Sequence, residues 1–266
     1  MNKCGMPDCD MHNYTHNFWL GCRKFTEGCK NCHMWIAQSG HGVDPSDIHG
    51  LKWQTAFGDA LDLQVEAEQK REVYTVKACS YSDFFLEDAD PWREKAWAII
   101  KDTPNLVWQL LTKRTENIAS RLPSDWGAGY PNVWLGATVE LKKYLYRLDQ
   151  LREIPCVLHW AKFAPMLDDF MPELASHIDG LSWVIISGEC GCGVTTPHVF
   201  DYRWAREVRE LCAERNVAFA FQRGSGQVWN RGNIDGVSYR ALPPALAEYR
   251  AEMAKRTSMF DTVRAE

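Results

Sequence analysis

Short apolar runs recur along the chain at a nearly even spacing. From residue 73 onward they read Val73–Cys79 (VYTVKAC), Leu106–Leu111 (LVWQLL), Val133–Thr138 (VWLGAT), Cys156–Trp160 (CVLHW), Trp183–Ser187 (WVIIS) and Val217–Gln222 (VAFAFQ), with starts 33, 27, 23, 27 and 34 residues apart. Near-continuous apolar strands at that interval predict repeated βα units and a parallel sheet covered by helices. The intervening segments carry helical periodicity. Leu141, Tyr144, Leu145, Leu148 and Leu151 fall on one stripe that Pro155 stops, and Trp92, Ala96, Ile99 and Ile100 form another before Thr103-Pro104. Asp201 is placed to cap a helix whose Ala205, Val208 and Cys212 face inward and which ends near Asn216. An earlier strand is expected over Asn17–Leu20. The pattern therefore predicts an α/β fold, a partial (βα) TIM-type barrel of about six to seven parallel strands.

No Ser/Gly-rich linker divides the chain. The reading is an N-terminal extension over 1–16, a barrel over 17–224 and a C-terminal extension over 225–266, in which Pro243-Pro244 opens a helix. In such folds chemistry gathers at the C-terminal ends of the strands.

Composition narrows the class. Lys and Arg number 30 against 35 Asp and Glu, a net charge of −5, so the chain lacks the basic surface of a nonspecific nucleic-acid binder, although a local basic groove is compatible with it. No run reaches the roughly 18 apolar residues of a membrane helix, and the opening MNKCGMPDCDMHNYTHN lacks the order of a secretion signal. A cytoplasmic location and no membrane partner are expected. The 10 cysteines are then expected to be mostly thiols, and a tight cluster of them points to metal before disulfide.

Cys22, Cys29 and Cys32 form that cluster, as C-x6-C-x2-C. Soft thiolates select iron–sulfur clusters, zinc or copper(I). A structural zinc site wants four ligands, usually as two separated pairs, and here His33 or His41 would have to complete it. Three cysteines on one loop instead suit a 4Fe-4S cluster with one open iron, to which S-adenosylmethionine (SAM) chelates through its amino and carboxylate groups. Buried thiols without a metal are the third reading. The position of the loop after the first strand favours the cluster.

Several strand-end residues suit a ligand. Ser80, Ser82 and Asp83 follow VYTVKAC and offer acceptors, or alternatively a helix cap. Thr112, Lys113 and Arg114 end the next strand; a Lys-Arg pair at a helix start opposes the dipole preference and so suits an anionic ligand. Thr138 and Glu140 close VWLGAT. Lys162 follows CVLHW, while His159 within it reads as a core histidine. Ser187, Gly188 and Glu189 follow WVIIS, where glycine permits close backbone approach. Cys190 and Cys192 flank that strand end, with quenching of a substrate radical as a role for Cys190. Cys4 and Cys9 are incidental or, with His12 or His16, a second metal site. Cys79, Cys156 and Cys212 read as core thiols.

These residues together resemble a phage and bacterial family of radical-SAM-like proteins. The carrying segments are FWLGCRKFTEGCKNCHMW around the cysteines, YSDFF at Tyr81–Phe85, QLLTKR at Gln109–Arg114, PNVWLGATVE at Pro131–Glu140, WVIISGECG at Trp183–Gly191 and VAFAFQRG at Val217–Gly224. The resemblance runs from about Phe18 to Gly224 in the family's order. It implies the radical SAM fold, a 4Fe-4S cluster on Cys22, Cys29 and Cys32, and SAM across the strand ends, contacted by His33, Ser80, Ser82, Asp83, Thr112, Lys113, Thr138, Glu140, Ser187, Gly188 and Glu189. The chain departs from the family at His33 (usually Tyr), at Ala164-Pro165 for Glu-Pro, at Gln222-Arg223 for Lys-Gln, and at Ser187-Gly188-Glu189-Cys190 for Gly-Gly-Glu-Ser. These positions are expected to face a specialised substrate.

The implied activity is generation of a 5′-deoxyadenosyl radical that takes a hydrogen from a nucleobase. Phage context suggests rearrangement of a glycyl-modified thymidine in DNA hypermodification, an isomerase-type reaction. Lys162 and Cys190 are the expected catalytic residues. Arg114, Trp160, Gln222 and Arg223 are expected to bind substrate, with aromatics such as Tyr81, Phe84 and Trp160 stacking on the base and the arginines on phosphates. DNA or a modified nucleotide and an external flavodoxin- or ferredoxin-type electron donor are the expected partners. Base repair, RNA modification or a noncatalytic zinc-stabilised nucleic-acid-binding module are the alternatives.

Overall fold

The computed structural model describes residues 2–3, 11–189, 195–226 and 232–265. Twelve strands are present among them: β1 (Asn2–Lys3), β2 (Tyr14–His16), β3 (Trp19–Leu20), β4 (His49–Gly50), β5 (Tyr74–Ala78), β6 (Leu106–Thr112), β7 (Val133–Thr138), β8 (His159–Phe163), β9 (Trp183–Ser187), β10 (Ala218–Arg223), β11 (Asn233–Ile234) and β12 (Val237–Ser238). One sheet has the order β1-β2-β5-β6-β7-β8-β9-β10. Its seven strands from β2 to β10 run parallel and curl into a half-barrel, with β1 antiparallel on the edge. The helices are α1 (His33–Gly40), α2 (Asp59–Lys70), α3 (Asp90–Lys101), α4 (Tyr146–Arg152), α5 (Tyr202–Glu214) and α6 (Ala245–Ala265).

The expected partial barrel is therefore present, with two shifts in its strands. The first barrel strand is Tyr14–His16 and not Asn17–Leu20; Trp19–Leu20 turns away to pair with His49–Gly50. The strand placed at Cys156–Trp160 lies at His159–Phe163. Apolar continuity marked only the part of β8 that packs, whereas the strand runs on through Lys162 because its upper end faces a polar space.

Alternation along each strand builds two cores. One side carries Val76, Ala78, Leu110, Leu135, Ala137, Ala161, Phe163, Val184, Ile186, Phe219 and Phe221, which pack with Ala60 and Leu63 of α2, Ala96 and Ile100 of α3, Leu148 and Leu151 of α4, and Val208 and Leu211 of α5. The cap of α5 forms as its sequence requires, Asp201 accepting the Arg203 amide at 2.8 Å. The other, concave side carries Val73, Val107, Trp134, Leu158, Trp160, Trp183, Ile185 and Ala220, which pack with Met11, Leu246 and Met253. Helix α6 thus closes the lower end of the half-barrel. Tyr249 fixes it by donating to the Pro104 carbonyl at 2.6 Å. Gln109 holds the opposite edge, its side-chain amide donating to the Met11 carbonyl at 2.9 Å.

Candidate active site

The cysteine loop follows β3, just beyond the carboxyl end of β2. Its turn requires glycine: Gly21 has φ +85°, and a Cβ there would lie 2.4 Å from the Asp47 carbonyl oxygen. The Cys22 amide then donates to the Pro45 carbonyl, and a 3₁₀ turn follows over Glu27–Cys29. Gly28 packs on the Glu140 side chain, where a Cβ would meet the carboxylate stem at 2.5 Å. Cys32 ends the loop at the start of α1. Cys22, Cys29 and Cys32 are free of disulfides and line one cavity of about 630 Å³.

That cavity lies over the upper ends of the strands and gathers most of the residues singled out from sequence. His33, Ser80, Ser82, Asp83, Thr112, Lys113, Arg114, Thr138, Lys162, Ser187, Gly188, Glu189, Gln222 and Arg223 all line it with the three cysteines. Glu140 and Trp160 do not. Cys190, like Cys4, Cys9 and Cys192, lies outside the described residues.

Several of these side chains have protein partners that redefine their part. Asp83 is an internal bracket: its carboxylate accepts from Thr112 Oγ1 at 2.7 Å, the Phe85 amide at 3.0 Å, the Lys113 amide at 3.1 Å and Arg114 Nη1 at 3.2 Å. Arg114 also donates to the Arg23 carbonyl at 2.8 Å and is 4% exposed, so it ties the loop to the sheet instead of reaching for a phosphate. Trp160 lies in the lower apolar layer against Trp183, at 5.5 Å between ring centroids, and is 1% exposed; no base can stack on it. The apolar run that contained it was displaced from the strand's upper end, which explains the misplacement. Phe84 is likewise buried, against Trp19 and Trp97. His159 bonds the Ile154 carbonyl at 2.8 Å, as expected of a packing histidine.

Glu140 is fully buried behind the cysteine loop. Its carboxylate accepts from Arg147 Nη1 at 2.7 Å and from Thr26 Oγ1, and lies 3.6 Å from Lys113 Nζ. Arg147, also fully buried, stacks 4.2 Å from the Tyr144 ring and donates to the Thr138 carbonyl. Burial opposes the charge of Lys113, but Glu140 and then Cys29 and Cys32 raise its pKa, so it stays protonated beside the loop. Glu189 is opposed by burial, yet hydrogen bonds from Asn31 and His198 hold its carboxyl below the usual range.

Sequence reasoning missed Lys77 and Arg147, and offered His12 only as a ligand of a second metal site, whereas it lines the same cavity as the loop cysteines. Lys77 had a visible signal, a lysine at an inward position of an otherwise apolar strand. Burial, then Lys77 and Lys162, lower the His12 pKa to about 3. Burial and then Asp83 push the Cys22 thiol up to about 12, so a thiolate there wants a cationic centre beside it. Among the described residues no three His, Cys, Asp or Glu side chains are gathered tightly enough to hold one metal ion. Three thiols free of disulfides, spread over one loop and lining one cavity, are a donor set whose chemistry would suit a multinuclear cluster, each thiolate holding a separate iron, better than a single ion.

Fold and site together define a parallel half-barrel α/β protein with a cysteine-lined cavity at its carboxyl strand ends. The chain belongs to the family described as protein of unknown function (DUF5131), which matches residues 8–257. No curated protein matches it. Among solved structures it is similar to spore photoproduct lyase complexed with dinucleoside spore photoproduct, at 14% identity and TM-score 0.47 over 90% of this chain and 71% of that one. A mutant of that lyase gives 14% identity and TM-score 0.43 over 92% and 73%. No helix among the described residues is long and apolar enough to cross a membrane.

Proposed function

We propose that the protein is a radical SAM enzyme that abstracts hydrogen from a nucleobase. The observation that carries this reading is the opening of all three loop thiols and the polar strand ends into one cavity. A 4Fe-4S cluster on Cys22, Cys29 and Cys32, together with SAM, supplies reductive carbon–sulfur cleavage and hydrogen-atom abstraction. The chain's own residues bind and orient. Lys113, kept charged by Glu140, is suited to a carboxylate beside the cysteines. Ser80, Ser82, Ser187 and Glu189 offer acceptors for amino and hydroxyl groups, with Thr138 and the Gly188 and His33 backbone in reach of the same space. Asp83, Thr112 and Arg114 hold the loop against the sheet. Lys162 and Cys190 remain the proposed catalytic groups, and Gln222 and Arg223 the proposed substrate contacts.

For the substrate we favour a glycyl-modified thymidine of phage DNA, rearranged in an isomerase-type step and served by an external flavodoxin- or ferredoxin-type donor. Anaerobic purification tests the reading. A brown protein with about four irons and sulfides, absorbing near about 400 nm and cleaving SAM to 5′-deoxyadenosine on chemical reduction, is expected. Cys29→Ser should lose the iron while keeping the fold. A colourless protein with one zinc and no SAM cleavage overturns the proposal. Deuterium transfer from labelled glycyl-thymidine then tests the substrate.

A further inference from the structure

The bridge between Cys22 and Cys29 is held by contacts that its thiols do not make. It has six residues, RKFTEG. Arg114 ties its first residue, donating to the Arg23 carbonyl at 2.8 Å. At its far end the Glu27 carboxylate accepts from Lys143 and from the Tyr144 hydroxyl, the latter at 2.6 Å, while Gly28 packs on the Glu140 stem. At the centre stands Phe25, the one large apolar side chain of the bridge and 43% exposed. A ring left that far in water gains only part of the usual burial energy, so its place in a polar loop needs another reason. Two buried guanidinium groups lie over it, Arg114 at 4.8 Å and Arg147 at 5.6 Å from the ring centroid. One comes from the end of β6 and the other from α4. Attraction between a cation and a ring face strengthens as the cation loses water.

Arg147 is a poor device for stability alone. Its Nη1 donates to the Thr138 carbonyl and to Glu140, but among the described residues its buried Nε and Nη2 have no hydrogen-bond partner. A buried ion pair with orphaned donors is often no more stable than packed apolar side chains of the same volume. Its planar group does something an apolar chain cannot: stacked 4.2 Å from the Tyr144 ring, it gives Phe25 a fixed cationic seat.

We infer that Phe25 is a positioning residue, seated on Arg114 and Arg147 so that the bridge fixes how far Cys22 stands from Cys29 and Cys32. Phe25 does not line the cavity, so it acts through the thiols and not on a substrate. The inference rests on the reading of the three cysteines as cluster ligands, since a cluster has edges of fixed length and holds poorly to ligands whose spacing drifts. Groups behind metal ligands orient them in this way.

Hydrogen exchange and iron retention in the full-length protein decide it, with Phe25→Ala, Phe25→Leu and Phe25→Tyr beside the wild type. The Cys29 and Lys30 amides close the 3₁₀ turn on the Thr26 and Glu27 carbonyls, both at 3.0 Å. In protein stripped of metal by a chelator, these amides should exchange at least about tenfold faster in the Ala and Leu variants than in the wild type or the Tyr variant. Leucine keeps bulk without a ring face, which separates the cation–ring contact from packing. The iron-loaded Ala and Leu variants should also release iron to bipyridyl at least about tenfold faster, with an altered electron paramagnetic resonance spectrum of the reduced cluster, and Phe25→Tyr should restore both. The denaturation midpoint should stay that of the wild type in all three variants. Equal exchange in all four proteins, a Leu variant that matches Tyr, or faster exchange explained by a lower midpoint overturns the inference. The exchange measurement needs no metal, so the two readings fail separately. A wild type that takes up no iron yet shows ring-dependent protection ends the cluster reading and leaves the seat of the loop standing; an iron-loaded protein indifferent to Phe25 does the reverse.

Discussion

The two ends of the concave face are built from the same strands and do opposite work. At the lower end Trp134, Leu158, Trp160 and Trp183 pack with Leu246 and Met253 of α6. Two residues further along β8, at the same inward-facing position, stands Lys162; on β9 the corresponding step beyond Ile185 reaches Ser187. The lower layer is sealed by indoles, one of which lies over Gly136, where a Cβ would meet the Trp160 ring at 2.3 Å. The upper layer is polar, charged and open to a cavity. A strand here is a rigid arm whose base is anchored by packing so that its tip can hold groups that do not pack.

The comparison can be broken or sharpened experimentally. The largest stability effect is expected at the base: Trp183→Ala removes a fully buried indole and should cost about 3–5 kcal/mol in chemical denaturation, whereas a loss under about 1 kcal/mol would mean the floor is not tightly packed. At the tip, Asp83→Ala strands the buried Arg114 and should cost about 3 kcal/mol, with the cysteine loop becoming protease-sensitive before the strands do. Smaller still is a pH effect. Burial lowers the pKa of His16 to about 4, with its Nε2 near the Ala56 carbonyl at 2.9 Å. The unfolded chain therefore takes up this proton first as pH falls below 6.5, so the contribution of His16 to stability is flat above that value and declines below it toward pH 4. Between pH 6.5 and 5 the share of the decline that His16 carries should be about 2 kcal/mol, and His16→Gln should remove that share while the one carried by His12, also depressed by burial, persists.

Much of this was legible in the sequence, for a physical reason. Buried parallel strands declare themselves by apolar continuity, so β7 and β9 lie at the bounds that VWLGAT and WVIIS mark. Strand tips do not, because their upper residues serve a cavity; β8 was placed three residues early for that reason. The cysteine loop was legible because its spacing has few structural uses. Less visible was which polar residues meet ligand and which meet each other. Asp83, Thr112 and Arg114 fall on two strand ends far apart in sequence, and only their register brings them into one bracket. Lys77 stands within VYTVKAC, a run whose apolar neighbours mark it as a packing strand and mask its polar inward position.

The fit of Gly28 against Glu140 constrains how this protein can vary. Glu140 is held by Arg147, Thr26 and Lys113 and cannot swing aside, so any side chain at position 28 collides with it. Relatives with alanine or larger there are expected to carry a shorter residue at the position matching 140, and to have lost or rebuilt the buried arginine. Paired drift at 28, 140 and 147 would then trace, across the lineage, where the backing of the cysteine loop was exchanged for another.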